Sequence, residues 1–259
     1  MTKFRPCIDL HDGQVKQIVG STLLDDDAPT ENHVAEHPAV WFAEKYQADQ
    51  LPGGHVIKLG PGNEAAAKSA LEGFPGGLQI GGGINLDNAQ QWLDAGASHV
   101  ILTSWLFNKN GQFEFEKLDA LVRQIGKRKI VIDLSCKRND KGWTVAMNRW
   151  QTLTNLNVDP ATLDSLADRC DEFLIHAADV EGKCQGIDAE LVALMGAWAK
   201  VPMTYAGGVA SMDDVLLVDS AGGGNIDVTV GSALDLFGGN GVAYQELVRW
   251  NRRQQDMPT

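Results

Sequence analysis

Two apolar runs that each end on a carboxylate constrain this fold more than any other feature: Cys7-Ile8-Asp9-Leu10 and Ile130-Val131-Ile132-Asp133-Leu134. A short apolar run bounded by turn residues reads as a strand buried on both faces, the habit of parallel sheets. Burying an unpaired carboxylate is costly, so a strand that ends on one presents it at a rim. Two such strands aim two carboxylates at one pocket. Asp9 and Asp133 are therefore candidates for a catalytic acid and base.

Other landmarks repeat in step. Gly82 answers to Gly207 and Ser104 to Ser232. These pairs, like Asp9 and Asp133, lie roughly 125 residues apart, about half the chain. Between landmarks, apolar runs predict strands at 55–59, 78–80, 99–102, 129–134, 173–176, 203–205 and 226–230. Amphipathic segments predict helices at 38–50, 64–71, 113–125, 160–168, 188–199 and 242–252. Asn85 is expected to cap a further helix, and Ser211 with Asp214 forms a candidate capping box. Eight strand–helix units in 259 residues predict one α/β domain, a (βα)8 TIM barrel built from two duplicated half-barrels, about 1–126 and 127–259. Two stretches read as long polar loops. One runs roughly from Ser21 to Glu36 and carries Asp25, Asp26 and Asp27, as a solvated segment or a lid. The other follows Asp133 and holds Trp143 and Trp150.

The turns Gly81-Gly82-Gly83 and Ala206-Gly207-Gly208 each follow a strand and open a helix. Glycines there let backbone N–H groups approach an anion, and the helix N-terminus adds positive dipole. Thr103-Ser104 and Gly231-Ser232 end the next strands and add hydroxyls and amides. Gly82, Gly83, Thr103 and Ser104 thus make one candidate phosphate site, and Gly207, Gly208, Gly231 and Ser232 a second. Two anion sites half a barrel apart predict a small ligand with a phosphate at each end. His176 ends the sixth strand on the same rim, followed by Asp179 and Glu181 in an acidic loop. Trp143 and Trp150 are candidates to stack on a planar heterocycle or simply to pack their loop.

The net charge of −12, from 34 acidic and 22 basic residues, argues against nucleic acid or an anionic membrane, since either needs a basic face. Cys7, Cys136, Cys170 and Cys184 form no C-x-x-C pair, so neither a disulfide framework nor a zinc or other metal site is expected. No apolar run approaches ~18 residues and no signal-peptide core is present, which points to a cytoplasmic, soluble protein. A monomer is expected.

Together, Cys7-Ile8-Asp9-Leu10, Gly81-Gly82-Gly83-Ile84, Ile132-Asp133-Leu134, Ala206-Gly207-Gly208-Val209 and Gly231-Ser232-Ala233-Leu234 resemble the histidine-biosynthesis barrel family over essentially the whole chain. The resemblance is to its aldose–ketose isomerase branch. The eukaryotic form is marked by Leu174-Ile175-His176-Ala177-Ala178-Asp179-Val180-Glu181-Gly182 and by the long segment after Asp133. It implies an Amadori rearrangement of a bisphosphate aminoaldose to an aminoketose, without cofactor. It implies Asp133 as the general acid on the ribose ring oxygen, Asp9 as the general base at C2, and Trp150 rather than Trp143 against the substrate. His176 stands where bacterial relatives usually have Thr, Glu181 where they have Asp, Arg149 where a Gly is common, Gln17 where an Arg is common and Lys58 where an Asp is frequent. The paralogous cyclase, which uses ammonia from a glutaminase partner, shares the Asp pair and both anion turns but normally carries Lys at the Gln17 position. A non-catalytic phosphate-ligand sensor is the reading from another class, and the intact Asp pair speaks against it.

Overall fold

The structure, a computed structural model, describes residues 1–18 and 31–255. The acidic run Asp25 to Asp27 lies outside the described residues. The end of that predicted loop is a strand instead, because it finds an antiparallel partner in the preceding hairpin.

The chain opens with β1 (Cys7–His11), β2 (Gln14–Ile18) and β3 (Glu31–Val34), then α1 (Ala39–Ala48). It continues with β4 (Gly54–Lys58), α2 (Glu64–Gly73), β5 (Leu78–Gly81), α3 (Ala89–Asp94), β6 (Val100–Leu102) and α4 (Phe115–Ile125). After β7 (Ile130–Asp133) come β8 (Cys136–Asn139), β9 (Gly142–Met147) and β10 (Thr152–Asn157). The rest is α5 (Pro160–Ala167), β11 (Glu172–His176), α6 (Ala189–Trp198), β12 (Met203–Ala206), α7 (Met212–Ala221), β13 (Ile226–Val228) and α8 (Tyr244–Gln255).

One sheet runs in the order β13-β12-β11-β7-β6-β5-β4-β1-β2-β3. From β13 to β1 every neighbouring pair is parallel, and a helix follows each of these strands before the next. The β2 and β3 additions are antiparallel. The two ends of the parallel run meet. Phe4, just ahead of β1, makes a parallel bridge with Val228 of β13. Arg5 N–H donates to Val228 O at 2.8 Å, and Val228 N–H to Lys3 O at 2.9 Å.

The strands are apolar on both faces because both are covered. Alternate residues Val100, Leu102, Ile130, Ile132, Phe173 and Ile175 face the helices and join the large core. The residues between them, Ile101, Val131, Leu174 and Ala206, form a separate inner cluster, as a period of two requires. Below that cluster the filling turns polar. Gln79 Nε2 and Thr204 Oγ1 donate to the buried Glu172 carboxylate at 3.0 and 2.8 Å. Arg5 Nε donates to Asp227 Oδ2 at 2.7 Å.

Two local expectations are corrected. The segment after Asp133 is a three-stranded antiparallel sheet, β10-β9-β8, not a loop. Asn85 does not cap α3. Its Oδ1 accepts from the N–H of Asp87 and of Asn88, an Asx turn that delays the helix to Ala89. The capping box at Ser211 and Asp214 is present at the start of α7.

Candidate active site

The C-terminal ends of the parallel strands surround a cleft of about 480 Å³, within the range of small-molecule sites. Asp9, Asp133, His176, Gly82, Gly83, Thr103, Ser104, Trp150, Gly207, Gly208, Gly231 and Ser232 all line it. Parallel pairing brings them together, since strands in register end on one rim. Asp9 lies opposite Ile57 on β4, and Asp133 opposite Leu174 on β11.

The two carboxylates sit in different surroundings. Asp133 is 7% exposed. Its Oδ1 accepts a hydrogen bond from Ser135 Oγ at 2.9 Å and lies 3.2 Å from His176 Nδ1. Burial opposes charge on His176, but the ion pair and hydrogen bond with Asp133, with help from Glu181 and Asp9, outweigh it and raise its pKa to about 9. Asp9 is half-buried and faces Glu181 and His176. Burial first, then the like charge of Glu181, lift its pKa to about 7 against the pull of His176 and a hydrogen bond from Gln17. The result is one carboxyl poised near neutrality and one carboxylate paired with an imidazolium.

The two glycine turns are alike in shape. Gly82 has φ +87°, and a Cβ there falls 2.1 Å from the carbonyl oxygen of Lys58, at the end of β4. Gly207 has φ +124°, and its Cβ falls 2.9 Å from the carbonyl oxygen of Ala177, just past β11. In both, the chain passes against the end of the preceding parallel strand, which only glycine permits.

Trp150 hangs over the cleft with its ring 6.3 Å from that of His176. It ends a run of left-handed residues, Asn148, Arg149 and Trp150, at φ of 54°, 54° and 63°. The run is hooked to the segment just past β6, because Asn148 N–H donates to Ser104 Oγ at 2.9 Å. Trp143 is elsewhere: its Nε1 donates to Asp188 Oδ2 at 2.7 Å, under the Arg138 guanidinium. Asp179 also stays out of the cleft, and its Oδ2 accepts from Arg138 N–H at 2.7 Å. Glu181 lines the cleft. Its buried Oε2 has no hydrogen-bond partner among the described residues, and burial raises its pKa.

Sequence reasoning missed Ser135 and His55, and it met Gln17 only as a position where relatives carry Arg or Lys. The Asp-x-Ser spacing after β7 could have signalled Ser135. His55 is buried below His176, rings 6.2 Å apart, and burial with the His176 charge lowers its pKa to about 3, so it is neutral. Among the described residues, no group of three or more His, Cys, Asp or Glu side chains gathers as a metal site, and no helix is long and apolar enough to cross a membrane.

Comparison with known proteins follows the same lines. The sequence profile of the family described as Histidine biosynthesis protein matches residues 3–239. A Yarrowia lipolytica protein named 1-(5-phosphoribosyl)-5-((5-phosphoribosylamino)methylideneamino) imidazole-4-carboxamide isomerase is 54% identical, covering 98% of this chain and 99% of its own. A Saccharomyces cerevisiae protein of the same name is 50% identical, covering 98% and 100%. A Medicago truncatula protein of that name, designated chloroplastic, is 51% identical, covering 98% of this chain and 83% of its own.

Proposed function

Because this chain belongs to the histidine biosynthesis protein family and isomerises the imidazole-4-carboxamide ribotide for which its relatives are named, we propose that Asp9 and the Asp133–His176 pair move the protons of that reaction. The observation that carries the proposal is a single cleft lined by both carboxylates and both glycine turns. A substrate with two phosphoribosyl groups needs an anion site at each end and its reacting sugar between them. Gly82, Gly83, Thr103 and Ser104 hold one phosphate, and Gly207, Gly208, Gly231 and Ser232 the other, chiefly through backbone N–H groups. That mode of binding suits a chain whose net charge is −12.

The reaction is an Amadori rearrangement. Asp133, supplied by the proton that His176 retains at neutral pH, protonates the ribose ring oxygen, and the C1–O bond breaks to leave a Schiff base. Asp9, ionised near pH 7, takes the C2 proton. The electron pair of that C–H bond forms an enolamine; a proton is then delivered to C1 while the C2 hydroxyl loses its own, and the C2 carbonyl of the ketose results. A base is most effective when its pKa lies near the working pH, and the raised value of Asp9 supports the assignment. Trp150 stacks on the substrate's heterocycle and covers the reacting sugar.

The fold is read as a closed (βα)8 barrel of two duplicated halves in a single domain. The Phe4–Val228 bridge supports closure, and the matched geometry of Gly82 and Gly207 supports duplication. The reading extends to a monomeric cytoplasmic enzyme with no nucleic-acid partner and no cofactor. The test is to incubate the purified chain with the ribotide in ammonia-free buffer. Ketose formation supports the proposal, and intact substrate after prolonged incubation sinks it.

A further inference from the structure

Gln17 takes no step in the reaction proposed above, yet it is 3% exposed and lines the cleft. It lies on β2, the antiparallel return of the hairpin whose first strand carries Asp9. Its Nε2 donates to Asp9 Oδ2 at 3.2 Å and lies 3.9 Å from Cys7 Sγ. Its Oε1 sits 2.5 Å from where a Cβ on Gly231 would stand. The side chain is thus wedged between the carboxylate and the second anion turn, with its donor turned to the carboxylate. A hydrogen bond to an ionised acceptor is stronger than a neutral one and holds the acceptor in one rotamer.

We propose that Gln17 is a positioning residue: its amide fixes Asp9 Oδ2 and favours the charged carboxylate, with Gly231 as the backstop that keeps the amide in place. The proposal rests on the reading of Asp9 as the base. The titratable groups around Asp9 are Glu181 and His176 from β11 and its loop, Cys7 on its own strand, His55 and Lys58 on the neighbouring strand β4, Tyr46 from α1, and Asp133 on β7, which lines the same cleft. Of the groups that act directly on Asp9, Glu181 and His176 act through charge, whereas Gln17 acts through a neutral hydrogen bond. A mere filler of the same shape leaves the ionisation of Asp9 untouched, and a donor does not.

The test is Gln17→Met, which keeps length and bulk but removes the donor, with Gln17→Asn, which keeps an amide too short to reach. The acid limb of kcat/KM against pH moves up by roughly half to one unit in both. The alkaline limb and KM stay close to wild type. A ¹³C-carboxyl NMR titration of Asp9 shows the same displacement without turnover. An acid limb and NMR titration at the wild-type position, in whichever variant folds, overturn the role of Gln17. So does a large rise in KM with unmoved limbs, which assigns Gln17 to the anion turn. Asp9→Asn separates the two layers. If that variant is inactive while the Gln17 limbs stay put, only the Gln17 role falls. If it is fully active, the base assignment falls first.

Discussion

In the proposed mechanism, Asp9 and His176 set opposite edges of the activity window. Asp9 works as a base only when ionised, so kcat/KM rises with pH through about 7. His176 supplies its proton only while protonated, so kcat/KM falls as pH rises through about 9. A bell with those limbs is expected, and His176→Gln removes the alkaline one. Asp9 also costs stability. An ordinary carboxyl ionises near 3.8, and this one near 7 in the fold. Between those values the folded chain keeps a proton that the unfolded chain has shed, so stability falls as pH rises across the window. Asp9→Asn removes the loss. Its melting temperature should exceed wild type by some ~5 °C at pH 8, about 2 kcal/mol after allowing for partial exposure, and match it near pH 3. At this scale the sequence was informative where a side chain stood alone at a strand end. Asp9, Asp133 and His176 were legible because a polar group closing an apolar run has few other uses. Gln17 and His55 were not, because their meaning lies in which neighbours the folded sheet sets beside them.

The three-stranded sheet β8–β10 is the element that turns a rim into a cleft. It read as loop because β8 and β10 face solvent along much of their length, and half-exposed polar strands carry no apolar run to betray them. Its anchor is electrostatic. Arg138 pairs with Glu190 and Asp188 of the α6 start, and Trp143 donates to Asp188. The exposed pair contributes little to global stability, but it ties the sheet that carries Trp150 to the start of α6, just past the loop that carries Glu181. Arg138→Ala is expected to change stability by less than ~1 kcal/mol. KM should rise several-fold, with both pH limbs unmoved. Steady-state kinetics beside a thermal melt measures this. Unchanged KM removes the latch from the account. The parallel strands and most helices were legible to within a few residues, since their apolar periods match their burial on two faces or one.

The whole molecule is held by contacts between its first and last strands as well as by its core. Arg5 and Asp227 join the segment ahead of β1 to β13, and Asp227 Oδ1 also accepts from Lys3 N–H at 2.8 Å. Removing the carboxylate leaves the Arg5 guanidinium beside the floor of the sheet without its partner. Asp227→Ala should cost about 2 kcal/mol in chemical denaturation while kcat, set at the opposite end of the strands, is retained. The common half-chain spacing of Asp9 and Asp133, Gly82 and Gly207, and Ser104 and Ser232 was legible because residues with special chemistry stand out from an apolar pattern. The Arg5–Asp227 pair was not, because these are ordinary surface residue types until a sheet curls to bring them together. The central claim is that two carboxylates on one rim divide the proton transfers of a ligand held by both its phosphates. Its most direct test is the single-turnover rate of Asp9→Asn and Asp133→Asn at saturating ribotide, read beside the equilibrium Kd. The account predicts a rate loss of about 10²–10⁴ in each variant with Kd held within a few-fold of wild type. A near wild-type rate in either, or a loss carried wholly by Kd, contradicts it.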